Sequence, residues 1–187
     1  MSARFEGLGY TDALPLGFER LAELPDAAAL GGIALENHQV LVADASLDEQ
    51  RPHSEKKSDE EPELAEDLQR LESKVNVLIQ LVARLLNRAT TLPPVRSIRL
   101  HASGLEWRID DEEVQPGTGV VELHVSRHFP QPLRLPGRIE GVASDDGGRW
   151  VGFRFEGLTP SVTELLERMI FRHHRRLVAG TRSAPRS

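Results

Sequence analysis

One stretch of the chain restricts the fold more than any other. Leu64, Leu68, Leu71, Val75, Leu78, Val82 and Leu85 recur at alternating intervals of four and three residues. On a helix this spacing draws a single apolar seam, with Leu68, Val75 and Val82 at heptad position a and Leu64, Leu71, Leu78 and Leu85 at d. At 1.5 Å of rise per residue the seam is about 30 Å long. Asp59, Glu60, Glu61 and Glu63 crowd its start, where they complement the helix dipole, and Pro93-Pro94 forces its end. Ile79 and Leu86 at e and Leu81 at g widen the apolar arc, and a helix apolar over so wide an arc wants more than one neighbour. β-Branched residues at a with Leu at d favour two strands. A parallel dimer would, however, set Asp67 at g against Glu72 at e. Three large apolar groups left in water would also cost on the order of several kcal/mol per chain. A helix packed on its own domain is the competing reading, and the preceding helix could share the cover. The e and g residues favour a higher homo-oligomer.

The rest of the chain divides around this helix. Residues 1–25 read as an extended segment, Tyr10 to Phe18 holding strand formers, with Pro15 better suited to an edge strand than a central one. Too short for a domain, it must pair elsewhere in the chain. Residues 26–92 read as a helical insertion with heptads over 64–85. Asp26 can cap Ala27-Ala28-Ala29-Leu30, Gly31-Gly32 is expected to interrupt or kink that helix, and Asp48 to Pro62 reads as a solvated linker or helix start.

Beyond the prolines the apolar period changes to two. Ile98, Leu100 and Ala102 alternate with Arg99, His101 and Ser103, and after Gly104 the phase restarts with Leu105, Trp107 and Ile109. Val121, Leu123 and Val125, then Leu133 and Leu135 with Gly137 to Val142, then Val151, Phe153 and Phe155 supply further one-faced strands. Asp145-Asp146-Gly147-Gly148 reads as a hairpin turn. Five strands in about 60 residues imply a small antiparallel barrel or sandwich. A last helix follows, with Ser161-Val162-Thr163-Glu164 read as its capping box, Val162, Leu165, Leu166 and Met169 as its apolar face and Gly180 just past its end. Residues 93–180 thus form the β portion with its closing helix, and 181–187 a disordered tail.

Composition narrows the chemistry. There is no cysteine, which removes disulfides, thiolate catalysis and cysteine-based zinc sites. The net charge of −6 and 5% aromatics argue against a polyanion-binding bulk or an extended base-stacking platform. Charge is uneven, −10 over residues 1–70 and +4 over 71–187. No apolar run approaches the roughly 18 residues needed to cross a bilayer, and the N-terminus lacks a signal-peptide core, so a soluble cytoplasmic protein is expected. No P-loop, GxGxxG, HExxH or serine elbow occurs. His173 and His174, adjacent on a helix, point about 100° apart, and His124 and His128 read as surface residues. Asp110-Asp111-Glu112-Glu113 reads as a solvated turn. No catalytic residue, metal ligand or cofactor is expected. Arg168, Arg172, Arg175 and Arg176 on the last helix complement its dipole, or else form a phosphate-contacting patch.

The β portion resembles the PilZ domain family. The resemblance rests on Arg99 to Trp107 with its Ser103-Gly104-Leu105 step, Pro116-Gly117 before a strand, Leu135 to Val142, and Trp150 to Phe155 before a closing helix. It covers about residues 95–178, and the larger layout resembles the atypical, tetrameric members of that family. It implies an α+β fold: a small six-stranded antiparallel β-barrel interrupted by long helices. The N-terminal segment would supply one strand, and the heptad helices a parallel four-stranded coiled coil. PilZ receptors hold cyclic di-GMP with RxxxR ahead of the barrel and [DN]xSxxG on a strand. Aligned on Gly104, Arg99 stands where Asp or Asn belongs and His101 where Ser belongs. Arg84 and Arg88 fit RxxxR but flank d-position Leu85 on the heptad helix.

These departures imply weak or absent cyclic di-GMP binding, with Arg99, His101, Ser103 and Gly104 as degenerate nucleotide-motif positions. The expected protein is a non-enzymatic PilZ adaptor in bacterial cyclic di-GMP signalling (motility, type IV pili or virulence), tetrameric and acting through protein partners. Its oligomerisation residues are Leu64, Leu68, Leu71, Val75, Leu78, Ile79, Leu81, Val82, Leu85 and Leu86. One alternative is a direct receptor with a variant pocket around Arg96, Arg99 and His101. Another is a nucleic-acid-associated oligomer using the basic terminal helix, although no nucleic acid is expected to bind.

Overall fold

The computed structural model describes residues 5, 7–49, 70–71, 73–75, 77–78, 81–82, 91–110, 113–126, 131–145 and 147–182. Six strands, β1 (Gly9–Leu21), β2 (Val95–His101), β3 (Gly104–Ile109), β4 (Gly117–Leu123), β5 (Leu133–Asp145) and β6 (Gly148–Phe155), close into an antiparallel barrel in the order β1-β2-β3-β6-β5-β4. Alternation along each strand sends one set of side chains inward. Ile98, Leu100, Leu105, Leu123, Leu133, Leu135, Val151 and Phe153 are each fully buried and form one core. The α+β barrel architecture is the one expected from the sequence.

β1 closes the ring by changing partners midway. Gly9 to Pro15 face His101 to Val95 of β2, and Leu16 to Leu21 face Leu123 to Thr118 of β4. Pro15, which has no N–H to give, stands at the change-over. Its carbonyl accepts from His124 N at 3.1 Å, and the next amide, Leu16 N, donates to Pro94 O at 3.1 Å. The edge strand expected for Pro15 is therefore a fully paired one, because the proline falls where neither ladder needs its donor.

The first helix, α1 (Ala27–Glu49), starts at the Asp26 cap, whose Oδ1 accepts from Ala29 N at 2.8 Å. It runs unbroken through Gly31-Gly32, against the expected interruption. Packing outweighs the propensity cost of glycine. Ile33, Val40 and Leu41 are buried. The fully buried Asn37 donates to Arg134 O at 2.7 Å and accepts from Arg134 N at 2.8 Å, clamping α1 to β5.

The closing helix, α2 (Pro160–Arg182), packs Val162, Leu166, Met169 and Ile170 into the core and lies against β1, β2 and α1. Its cap is Thr159, which receives Val162 N on Oγ1 at 3.4 Å and Thr163 N on its carbonyl at 3.0 Å, and Pro160 takes the first helical position. The expected capping box at Ser161 is thus replaced by a simple threonine cap two residues earlier. The helix also continues past Gly180 to Arg182, so the tail expected from 181 begins no earlier than 183.

Between α1 and β2, the described residues from 70 to 82 are helical. Leu71 is 60% exposed, Leu78 61%, Val75 45%, Val82 53% and Leu81 50%. Among the described residues the heptad seam is therefore largely exposed at these positions. Leu64, Leu68, Ile79, Leu85 and Leu86 lie outside the described residues, as do Arg84, Arg88 and His128.

Candidate ligand face of the barrel

The positions aligned with the nucleotide motif fall on the outer face of β2 and β3. Inward-pointing Ile98 and Leu100 leave Arg99 and His101 outside, and inward-pointing Leu105 and Trp107 leave Gly104 and Glu106 outside. Pairing sets Arg99 opposite Glu106, and Gly104 opposite Arg154 on β6. Ser103 is exposed in the turn between them, its carbonyl accepting from Phe155 N at 3.0 Å. The structure thus gathers Arg99, His101, Ser103 and Gly104 at one end of one face.

Arg99 is engaged by groups of the same chain, whereas the buried His101 Nδ1 finds no hydrogen-bond partner among the described residues. Arg99 lies 2.7 Å from Asp145 and 3.4 Å from Glu106, and its guanidinium sits 3.7 Å from the ring centre of Trp150. Asp145 ends β5, and its Oδ1 also accepts from Gly147 N at 2.8 Å and Trp150 Nε1 at 3.0 Å. The two-residue hairpin that positions it is completed by Gly148 at φ +116°, a backbone that side-chain-bearing residues rarely adopt. The Arg99 hydrogen bond, helped by the Gly147 amide and the Trp150 indole, holds the Asp145 carboxyl below its ordinary value of 3.8. Glu106, although outward, is only 6% exposed beneath Arg99.

The second row of the face is covered by Phe5. The Phe5 ring lies on Gly104, where any Cβ would collide with it and with the Phe153 carbonyl. Phe5 also meets the His101 ring at 5.8 Å between centroids and the Arg154 guanidinium at 5.5 Å, and Arg154 in turn pairs with Glu140. On its other side His101 rests on Gly9, which has no room for a side chain. Burial pushes the His101 imidazole below its usual 6.5, with Arg99 adding to the effect and Glu106 opposing it.

The variant pocket expected around Arg96, Arg99 and His101 does not assemble. Arg96 shares the parity of Ile98 and Leu100, so it belongs to the opposite face of β2, where it lines a cavity of about 360 Å³ at the barrel mouth with Phe18, Arg20, Trp107 and Glu113. The basic helix does not present a uniform patch either. Arg172 turns inward to Asp44 of α1 at 3.3 Å, Arg168 pairs with Glu164 one turn back at 2.6 Å, and Arg175 lies over Phe171. His173 stacks on Tyr10 at 4.7 Å, and His124, read from sequence as a surface residue, is 8% exposed. Among the described residues no cluster of His, Asp or Glu is placed to hold a metal, and no helix is long and apolar enough to cross a membrane. Phe5, Trp150, Asp145 and Arg154 escaped sequence reasoning as members of this face. Strand register, which spacing does not give, brings Trp150, Asp145 and Arg154 to it, and Phe5 reaches it from ahead of β1.

A family model described as "Atypical PilZ domain, cyclic di-GMP receptor" matches residues 41–183. The chain belongs to the atypical PilZ domain family. Among solved structures, this PilZ chain is similar to a pathogenic protein from Xanthomonas campestris, described as a tetrameric PilZ domain self-assembled via an unusual helical bundle. The TM-score is 0.70 and the identity 26%, with 92% of this chain and 90% of that one covered. No curated protein matches. In this PilZ barrel, then, the face aligned with the cyclic di-GMP motif is filled by Phe5 and by the Arg99–Asp145–Trp150 cluster.

Proposed function

We propose that this PilZ protein is a non-enzymatic adaptor in bacterial cyclic di-GMP signalling, self-assembled into a tetramer, that binds the nucleotide weakly or not at all and acts through protein partners. In this reading residues 26–92 form the assembling insertion, and the heptad helices meet in a parallel coil through Leu71, Val75, Leu78, Leu81 and Val82, together with Leu64, Leu68, Ile79, Leu85 and Leu86. The exposure of the described seam residues and the tetrameric state of the Xanthomonas relative support the assembly. The family's association with motility, type IV pili and virulence supplies the field of action.

One observation carries the binding half of the proposal. Arg99, the cation nearest the motif, is already engaged by two carboxylates and an indole of its own chain. A phosphate would have to outbid Asp145 at 2.7 Å and uncover Trp150. The charge-assisted bonds that the motif's missing residues would supply are worth about 1.5–3 kcal/mol each, and 1.4 kcal/mol is tenfold in affinity. Losing two or three of them moves a micromolar receptor to high micromolar or beyond detection. The receptor reading rests on the family description alone. The test combines light scattering with cyclic di-GMP calorimetry at about 50 μM protein. A fourfold mass without saturable heat is expected. A monomer, or a stoichiometric low-micromolar isotherm abolished by Arg99→Ala, would refute the adaptor.

A further inference from the structure

We propose that Phe5 is a built-in competitor for a nucleobase, occupying a flat slot on the barrel's outer face from which a guanine ring is excluded until the Phe5 ring leaves it. The slot has a floor with no side chain, because Gly104 tolerates no Cβ beneath the ring. Its walls are an imidazole, His101, and a guanidinium, Arg154, at centroid distances of 5.8 and 5.5 Å. A side-chain-free floor between a cation and an aromatic wall suits a planar π-system. Guanidinium groups and imidazoles are the side chains on which nucleobases stack. Arg154 is itself held by Glu140, which fixes the guanidinium wall of the slot.

The occupant is poised to leave. Phe5 is only 9% exposed, yet it joins β1 through Gly7, which sits at φ +109° with open space around it, and through Leu8, which is 43% exposed. Among the described residues, the contacts given for Phe5 are those of its ring, with Gly104, His101 and Arg154. A tethered ring has an effective concentration in the millimolar range, so it suppresses a free ligand without forbidding it. This inference rests on the reading that the wild-type chain binds cyclic di-GMP weakly, and it assigns part of that weakness to a removable group rather than to missing motif residues.

The test is calorimetry of cyclic di-GMP on the full-length chain, comparing wild type, Phe5→Ala, and Phe5→Ala with Arg154→Ala. Phe5→Ala should tighten binding at least tenfold, and adding Arg154→Ala should cancel that gain. A folded Phe5→Ala protein that binds no tighter than wild type overturns the proposal, as does a gain that survives Arg154→Ala. Should the alanine variant lose its β-sheet spectrum, Phe5→Leu keeps apolar cover over Gly104 while giving up the flat ring. A gain of at least threefold is expected there, and none overturns the proposal. The ratio between variants decides the role of Phe5. Low-micromolar binding by the wild type would refute the adaptor reading and leave that ratio to be judged on its own.

Discussion

Arg99 covers Trp150, its guanidinium 3.7 Å from the ring centre, on the outside of a barrel whose own core lies on the other side of the sheet. Trp150 is consequently 6% exposed although its neighbours in β6, Val151 and Phe153, take the interior. Arg99→Ala should uncover the indole and leave the nearly buried Glu106 without its cation. The expected loss is about 1–3 kcal/mol, read as a lower urea midpoint together with a red shift of tryptophan emission. Arg99→Lys keeps the charge but not the planar fork, so it should fall between the two. An unshifted emission in the alanine variant would remove Arg99 as the cover.

Acid should destabilise the fold in two stages. His101 has a folded value below its ordinary 6.5, so as pH drops past 6.5 the unfolded chain takes up the proton first. Its contribution is neutral above pH 6.5, and stability is lost as pH falls from there to the depressed value. Asp145 is lowered from 3.8, so its contribution is complete above pH 3.8 and lost as pH falls through its folded value. Urea midpoints from pH 8 to 3 should fall in both windows. His101→Asn should flatten the first relative to wild type, and Asp145→Asn the second.

The heptad seam can be broken without touching the barrel. Leu71→Asp with Leu78→Asp would place charges at two d positions, costing several kcal/mol per layer, on the order expected for buried unpaired charge. The solution mass should fall towards the 20.8 kDa of one chain while the β signal in circular dichroism persists. A variant that keeps the wild-type mass would exclude these residues from the interface.

What could be read from the sequence was whatever repeats locally. The alternation of Ile98 and Leu100 with Arg99 and His101 placed β2 and its faces correctly, and the Asp145–Gly148 turn followed from residue type. Errors arose where tertiary contacts decided. Gly31-Gly32 looked like a break because propensity cannot see the Asn37 clamp on Arg134 six residues on. Ser161 looked like a cap because its box pattern is local, whereas Thr159 and Pro160 set the actual start. The composition of the candidate face was least legible. Arg99 meets Asp145 and Trp150 across three strands, and Phe5 reaches Gly104 from the far end of the chain. No local pattern encodes either meeting.

The unbroken α1 makes a simple test. A Cβ at Gly31 or Gly32 would meet nothing within 4 Å, and both residues lie inside the helix. Gly31→Ala and Gly32→Ala should each stabilise the protein by about 0.5–1 kcal/mol, seen as a rise in thermal midpoint. A fall would mean that the helix bends there in solution.

Barrel closure depends on a strand that precedes the insertion. A fragment of residues 93–187 would leave β2 and β4 with unpaired edges and uncover Leu100, Val121 and Leu123. It should aggregate or melt far below the full chain. Supplying residues 5–49 on a short linker, without the heptad helix, should restore a soluble monomer, because α1 as well as β1 covers the core. Equal stability of the bare fragment would make β1 dispensable.

The partner change at Pro15 also sets a timetable for synthesis. Leu21 bonds to Thr118, 97 residues later in the chain. At roughly 5–20 residues per second, β1 waits about 5–20 s on the ribosome before its second neighbour exists. Until β2 emerges it is an unpaired strand with an apolar side, and its second half stays unpaired until β4 is made. The heptad segment, residues 64–85, emerges within the same interval, ahead of the strands that close the barrel.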